Sequence, residues 1–528
     1  PGRLPGLRGA VGGCVVPAPA SPSSCPSLIQ WFDHLSSPGQ TNSQRSSKTV
    51  RSPSHRHIDD ENKKATKSAD ENDAGTGSAR ADGMESALGP CGAYPCSTMT
   101  GARYTPKITP GKSDAPLNWH TLGPGEPALS EWSALGLELP DMDVIREYRL
   151  ARVVGKLHEL DYGGIVLFDP LNARYATSST NMQIWITHNA SRYAFVGADG
   201  YVVQFEFSHA YYLSDPFPAI DEVRPATDWY YFAAGDTFDA KAKRWAAEIN
   251  DLLREHGGNN TRLAVDRLNP EGAHHLAELG VGVHNGEEVM ELARCIKSPE
   301  EIKAMRCAMA ATEKSMGVMH DHLVPGVSEQ ELWSHLHAES IKRGGEWIET
   351  RLLSSGPRTN PWYQECSSRV IEPGDLVGFD TDLVGSYGMC VDISRTWLCG
   401  PESPTPAQGE LFDLAARQIR HSVEMIMPGV TFKELTFESW VPDPEVYRHY
   451  TSQFHGVGLC DEYPAVYFPE DWETAGYDGV VEPGMVLAVE SYVGRKDGGE
   501  GVKLEEQLLV TEEGTEMLSS YPIGLTKG

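Results

Sequence analysis

The chain carries no CxxC pair and no apolar run approaching the roughly 18 residues that cross a bilayer as a helix. The first absence removes zinc-ribbon and dithiol-redox readings, and the second removes a spanning helix. Basic residues are scarce: 45 Lys and Arg stand against 74 Asp and Glu over 528 residues, a formal net charge of −29. That balance disfavours nucleic acid or an anionic membrane as partner. Mean hydropathy is negative. Ten cysteines are scattered without framework spacing, four of them (Cys14, Cys25, Cys91, Cys96) near the start. The other six read as reduced thiols, so the expected location is the cytoplasm.

A chain of this length exceeds one core and is expected to divide. Residues 1–115 are rich in Ser, Pro and Gly and include a polar run from Arg51 to Gly83. Such composition buries too little apolar surface to offset its ordering entropy, so disorder is expected. The sequence begins on Pro1, and Met84 and Met99 are candidate true starts of a mispredicted leader. The first 58 residues are basic and poor in acids, which keeps a targeting peptide open as an alternative. Residues 116–296 alternate helical and strand patterns. A helix is expected over Asp143–Leu160 and another over Phe238–His256, with strands at Gly164–Phe168, Tyr201–Phe205 and Arg262–Asp266. That alternation reads as an α/β domain. A boundary follows at Ser298-Pro299-Glu300-Glu301, a capping box with Pro at the first helical position, opening residues 297–528. Ile302, Met305, Met309 and Met316 then share a helical face that reads as core.

The last domain repeats itself. Ile371-Glu372-Pro373-Gly374 leads through an apolar strand to Asp380, and Val481-Glu482-Pro483-Gly484 leads through another to Glu490, 110 residues on. Upstream of each, Pro325-Gly326-Val327-Ser328 and Pro428-Gly429-Val430-Thr431 turn into capped helices. Two motifs repeated in one order predict two related halves, packed as a curved sheet with helices outside. A carboxylate at the matched end of each strand is costly without a partner, so a cation between the halves is expected.

Further acids are placed to join it. Asp382 lies two residues beyond Asp380, on the same strand face if the strand continues. Met389–Ile393 is expected to return as its partner strand, carrying Asp392. In the second half, Val502–Gln507 can return Glu505 opposite Glu490. His455 sits between these hairpins in His455-Gly456-Val457-Gly458, flanked by small residues. One imidazole among carboxylates suits a pair of divalent first-row ions such as Fe, Mn, Co or Zn.

In these motifs residues 297–520 resemble the pita-bread metallopeptidase family of prolidases, aminopeptidase P, methionine aminopeptidases and creatinase. The matching residues are Asp380, Asp392 within VDISRTW, His455 within HGVG, Glu490 within AVESY and Glu505 within VKLEEQ. The resemblance implies an α+β fold: a creatinase-like α/β amino-terminal domain followed by a pita-bread catalytic domain of duplicated ααβ halves. It also implies a homodimer in which one subunit's amino-terminal domain closes the other's site.

Two departures separate the chain from the peptidases. Asp382 stands where they usually have Gly, and Asp380 to Asp392 spans 12 residues where they usually have 11. Aligned on Glu462-Tyr463-Pro464, Asp461 occupies the position of a His that assists amide cleavage. A carboxylate beside a Lewis-acidic metal suits proton removal from carbon and β-elimination. Together the D-x-D insertion and HGVGLCDEYP are similar to the DddP-type dimethylsulfoniopropionate lyases. That resemblance implies cleavage to dimethyl sulfide and acrylate with two bound metal ions, iron foremost. It further implies Asp380, Asp382, Asp392, His455, Glu490 and Glu505 as ligands, Asp461 as base and Tyr450 at the substrate. A sulfonium cation can rest on aromatic faces. Trp362, Tyr363, Tyr387 and Tyr447 lie near the motifs, and Trp185 and Tyr193 could enter across a dimer. An Xaa-Pro metallopeptidase and a metal-free binding scaffold stay open as rival readings.

Overall fold

Asp141 opens the first long helix: its side chain accepts from the N–H groups of Asp143 and Val144 and caps Met142–Glu159. That helix buries Ile145, Val153 and Leu157. It belongs to a computed structural model that describes residues 123–526. The expectations for the leading segment, its four cysteines and its candidate start sites lie outside the described residues.

Six strands follow: β1 (Gly164–Leu167), β2 (Tyr193–Gly197), β3 (Val202–Glu206), β4 (Glu222–Pro225), β5 (Arg262–Val265) and β6 (Gly282–Asn285). They form one sheet in the order β4-β3-β2-β1-β5-β6. β1, β5 and β6 run parallel, whereas β2 is antiparallel to both β1 and β3. Alternate residues of β1 serve opposite faces. Ile165 and Leu167 pack with Val153, Leu157 and Val289, while Val166 packs with Trp245, Ile249 and Leu253 of helix Phe238–His256. Helices therefore cover both faces, as the alternating pattern predicts. Among the described residues no helix is long and apolar enough to cross a membrane.

Ser298 and Glu301 form the expected capping box, and helix Pro299–Asp321 starts there. Met305, Met309 and Met316 of its inner face pack with Phe379, Val391 and Trp397. A second capping box, Thr431 with Glu434, starts helix Phe432–Glu438. At the matching site Ser328 accepts from the Glu331 N–H, but the reciprocal bond from Glu331 is not made.

The duplication extends to individual hydrogen bonds. Gly326 N–H donates to Ile371 O as Gly429 N–H donates to Val481 O. Gly374 N–H donates to Cys399 O as Gly484 N–H donates to Val510 O. All four of these glycines have φ between 82° and 99°, the left-handed conformation each Pro-Gly turn demands.

One expected pairing is corrected. Strand Leu376–Asp380 pairs with Ser394–Leu398, with Ser394 opposite Asp380, and on its other edge with Leu353–Ser355. Cys390–Val391 pairs instead with Leu383–Val384 in a separate small sheet. The strand breaks because Asp382 adopts φ 36°. Thr381 bridges the gap, its hydroxyl donating to Val391 O and accepting from Ile393 N–H. In the second half Val486–Arg495 and Gly501–Val510 pair over their lengths and set Glu490 directly opposite Glu505, as expected. Side chains join the two halves: Thr396 Oγ1 donates to Lys503 O at 2.8 Å and accepts from Lys503 N–H at 3.0 Å.

Candidate metal centre and active site

The aspartates of the centre come from a strand end and a turn, whereas Glu490, expected at a strand end, and Glu505 both lie mid-strand. Asp380 closes Leu376–Asp380, Asp392 follows Cys390–Val391, and Glu490 and Glu505 face each other across their ladder. His455 projects from Ser452–Val457, which pairs with Val486–Arg495 so that His455 lies opposite Ala488. Its Nε2 lies 3.4 Å from Glu490 Oε1, 3.6 Å from Asp392 Oδ2 and 3.7 Å from Glu505 Oε1. Its Nδ1 faces the Gly456 carbonyl at 3.1 Å and Asp461 Oδ1 at 3.8 Å. A proton on Nδ1 leaves Nε2 free as a metal ligand.

Three sets of ligand atoms converge within 4.8 Å: Asp380 with Asp392 and Glu505, His455 with Glu490 and Glu505, and Asp392 with His455 and Asp461. Asp392 Oδ1, Glu490 Oε1 and Glu505 Oε1 are buried without a hydrogen-bond partner among the described residues. Burial and mutual repulsion push the Asp392 and Glu505 carboxyls far above the usual range. Asp380 is held below it: burial opposes ionisation, but the Lys503 ammonium, then hydrogen bonding with Glu505 and the Ser394 hydroxyl, outweigh it. Burial lowers the His455 imidazole, and Asp461 and Glu490 more than reverse this, holding it at about 10. Buried acids with orphaned oxygens around an imidazole fit divalent ions of the first transition row.

Asp382 stands apart from these triads. Its left-handed turn sends the carboxylate to the Thr350 hydroxyl. Burial, then Asp380 and Asp461, raise its pKa well above the usual value, so it shares their electrostatic field. Asp461 begins strand Asp461–Tyr467, and its side chain is 48% exposed against 10% for His455. Both line an open cleft of about 560 Å³ with Tyr363, Tyr450, Tyr463 and Glu291.

The aromatic candidates divide. Tyr363 stacks on Tyr450 at 5.2 Å, and its hydroxyl bonds Thr451. Tyr363 also has φ 72°, a strained backbone for an aromatic residue. Trp362 packs on Tyr492 with its ring 5.9 Å from the Lys503 ammonium, Tyr387 stacks on Trp132, and the Tyr447 hydroxyl donates to Glu410. Tyr193 is fully buried in β2 against Phe205 and has no route to a partner's site; Trp185 is exposed.

Two groups escaped the sequence reading. Lys503 is fully buried, with Nζ 2.6 Å from Glu490, 3.0 Å from Asp380 and 3.2 Å from Glu505. The signal was its place two residues before Glu505, on the same strand face. Glu462, beside Asp461, accepts from Arg294 at 3.0 Å and Lys297 at 2.5 Å, pinning the strand that carries Asp461 to residues upstream of position 299.

Residues 303–512 match the model of metallopeptidase family M24. The dimethylsulfoniopropionate lyase DddP of Roseovarius nubinhibens is 47% identical over 407 residues, 76% of this chain and 91% of that protein. The dimethylsulfoniopropionate lyase DddP of Roseobacter denitrificans is 43% identical over 77% of this chain and 92% of that protein. Among solved structures, the Xaa-Pro dipeptidase of Bacillus anthracis superposes with a TM-score of 0.57 at 24% identity, covering 72% of this chain and 98% of that one. The X-Pro aminopeptidase of Thermotoga maritima gives 0.57 at 18% identity, covering 71% and 99%. These superpositions bear out the expected α+β pita-bread fold. The identities to the two lyases are far above those to the peptidases and extend over many more residues than the M24 match, so the chain belongs to the DddP-type dimethylsulfoniopropionate lyases within metallopeptidase family M24.

Proposed function

We propose that this chain is a carbon–sulfur lyase that cleaves dimethylsulfoniopropionate to dimethyl sulfide and acrylate, with Asp461 as the base. The observation that carries the assignment is Asp461 itself: a half-exposed carboxylate 3.8 Å from His455, open to the cleft. Asp380, Asp382, Asp392, His455, Glu490 and Glu505 are the proposed metal ligands, and two iron ions the proposed occupants. A metal held by these residues would supply Lewis-acid polarisation of the substrate carboxylate. Asp461 takes the proton from the carbon next to that carboxylate. The freed electron pair becomes the carbon–carbon double bond as the carbon–sulfur bond breaks, and dimethyl sulfide leaves neutral. Atoms and charge balance: one proton moves to Asp461, and the sulfonium charge is quenched by the departing pair.

Tyr450 lines the substrate site in this reading, and the half-exposed ring of Tyr363 stacked on it offers the sulfonium an aromatic face. Residues 297–528 hold the chemistry, while residues 116–296 close a partner's cleft in a homodimer. Exposed Met182, Ile184, Tyr231 and Phe232 on the amino-terminal part support that association. The test is the headspace over purified protein and dimethylsulfoniopropionate. Dimethyl sulfide with matching acrylate is expected; release of amino acids from Xaa-Pro peptides without dimethyl sulfide would overturn the assignment in favour of a peptidase.

A further inference from the structure

We propose that the Lys503 ammonium is a resident third cation of the centre, a positioning residue that orients the metal-binding carboxylates and sets the charge left for the metal. The inference rests on the metal centre assigned above. Lys503 and Glu505 lie two apart on strand Gly501–Val510, so both side chains rise from one face, with Glu490 opposite Glu505. Each glutamate is divided between the Lys503 ammonium and the His455 imidazole. Glu490 gives Oε2 to Lys503 at 2.6 Å and turns Oε1 to His455 Nε2 at 3.4 Å. Glu505 gives Oε2 to Lys503 at 3.2 Å and turns Oε1 to His455 Nε2 at 3.7 Å. Asp380 adds Oδ2 at 3.0 Å.

Ser394 completes the back of the cradle. Its hydroxyl accepts from Lys503 at 2.7 Å and lies 2.7 Å from Asp380 Oδ1 and 2.8 Å from Glu505 Oε2. The ammonium thus occupies the rear oxygens of three acids, meeting Glu490 Oε2 as an ion pair without hydrogen-bond geometry, and Glu490 Oε1, Glu505 Oε1 and Asp392 Oδ1 are left facing the centre without a donor. A rotating carboxylate must lose freedom to bind metal, and a fixed rear contact removes that cost beforehand. The four acids that converge around Lys503 and His455 (Asp380, Asp392, Glu490, Glu505) contribute −4 and Lys503 +1, which leaves −3 for the metal. A buried ammonium without such partners would itself be costly, so lysine and acids require each other.

The same ammonium lies 4.5 Å from the ring centroid of Tyr450, so the metal cradle and the substrate wall share one side chain. The experiment titrates cobalt(II) into metal-free wild-type, Lys503→Gln and Lys503→Arg protein, followed by visible absorption and calorimetry, with thermal melts reporting folding. Wild type and Lys503→Arg are expected to take up two ions. Lys503→Gln, which keeps a donor but no charge, is expected to bind at least about tenfold more weakly or to lose the second ion. A folded Lys503→Gln with two sites of wild-type affinity overturns the positioning role while leaving the metal centre intact. A Lys503→Arg that folds but loses metal as fully as Lys503→Gln overturns the charge argument. If Lys503→Gln does not fold, wild-type uptake by Lys503→Arg supports the charge role and its loss overturns it. Wild-type protein that binds no cobalt removes the centre and the inference together.

Discussion

Asp461 Oδ1 lies 3.8 Å from His455 Nδ1, on the opposite side of the imidazole from the three carboxylates around Nε2. This puts the proposed base at the edge of the centre, in one ligand set with Asp392 and His455. Asp461→Asn keeps the shape and removes the proton acceptor. It is expected to retain metal and lower kcat by about 10²–10⁴-fold, the usual worth of a positioned base. Headspace dimethyl sulfide and metal content, measured on the same preparation, check it; full activity would remove Asp461 from the chemistry.

Tyr363 offers the exposed ring of the stacked pair, while the Tyr450 ring already carries the Lys503 ammonium. Tyr363→Leu keeps bulk and removes the π face. KM for dimethylsulfoniopropionate should rise by about 3- to 30-fold, the range of a partly desolvated cation–π contact, with kcat changed far less. Inhibition by the uncharged thioether analogue, 3-(methylthio)propionate, should change little, because it carries no cation. Equal loss for both compounds would mean that the ring serves shape alone.

Much of this centre was legible in the sequence because its turns are local. Pro-Gly steps at 373–374 and 483–484 require left-handed glycine, and the acid seven residues later follows from strand geometry. The partner of Leu376–Asp380 was not legible. Pairing there depends on the left-handed Asp382 and on the Thr381 hydroxyl, which replaces ladder bonds to Val391 and Ile393. A continued strand would have set Asp382 beside Asp380; the turn gives it to Thr350 instead. Lys503 was hidden for another reason. A lysine in a strand usually marks the solvent side, and its place two residues before Glu505 on the same face is the local sign that it points inward, which the packing of the two halves bears out. The cover of Tyr193 likewise comes from helix Phe238–His256 and the sheet, not from its own neighbours in sequence.

Metal loading should depend on pH with a defined sign. Without metal, Asp461 and Glu490 hold the His455 imidazole at about 10 against its burial, and Asp392 and Glu505 sit far above the carboxylate range. The metal-free centre therefore binds protons that a metal ion must displace, and raising pH favours the loaded form. Apparent affinity for cobalt(II) should rise by about tenfold or more per pH unit between about pH 6 and 8. Proton release into weak buffer during loading is the direct measurement. An affinity flat across that window would contradict the shared-proton picture.

Thr396 tests how the duplicated halves are held together. Its hydroxyl donates to Lys503 O and accepts from Lys503 N–H, a pair of bonds that takes the place of a backbone ladder between Ser394–Leu398 and Gly501–Val510. Thr396→Val preserves the volume and leaves a buried N–H and C=O unpaired, each costing about 1–3 kcal/mol. The expected loss is about 2–5 kcal/mol in denaturant unfolding. Thr396→Ser should recover most of it, since the oxygen returns and only a methyl is missing. A valine variant as stable as the parent would show that apolar packing alone joins the halves. Because Lys503 is the residue so held, the valine variant should also weaken cobalt(II) binding, linking the seam between the halves to the centre they enclose.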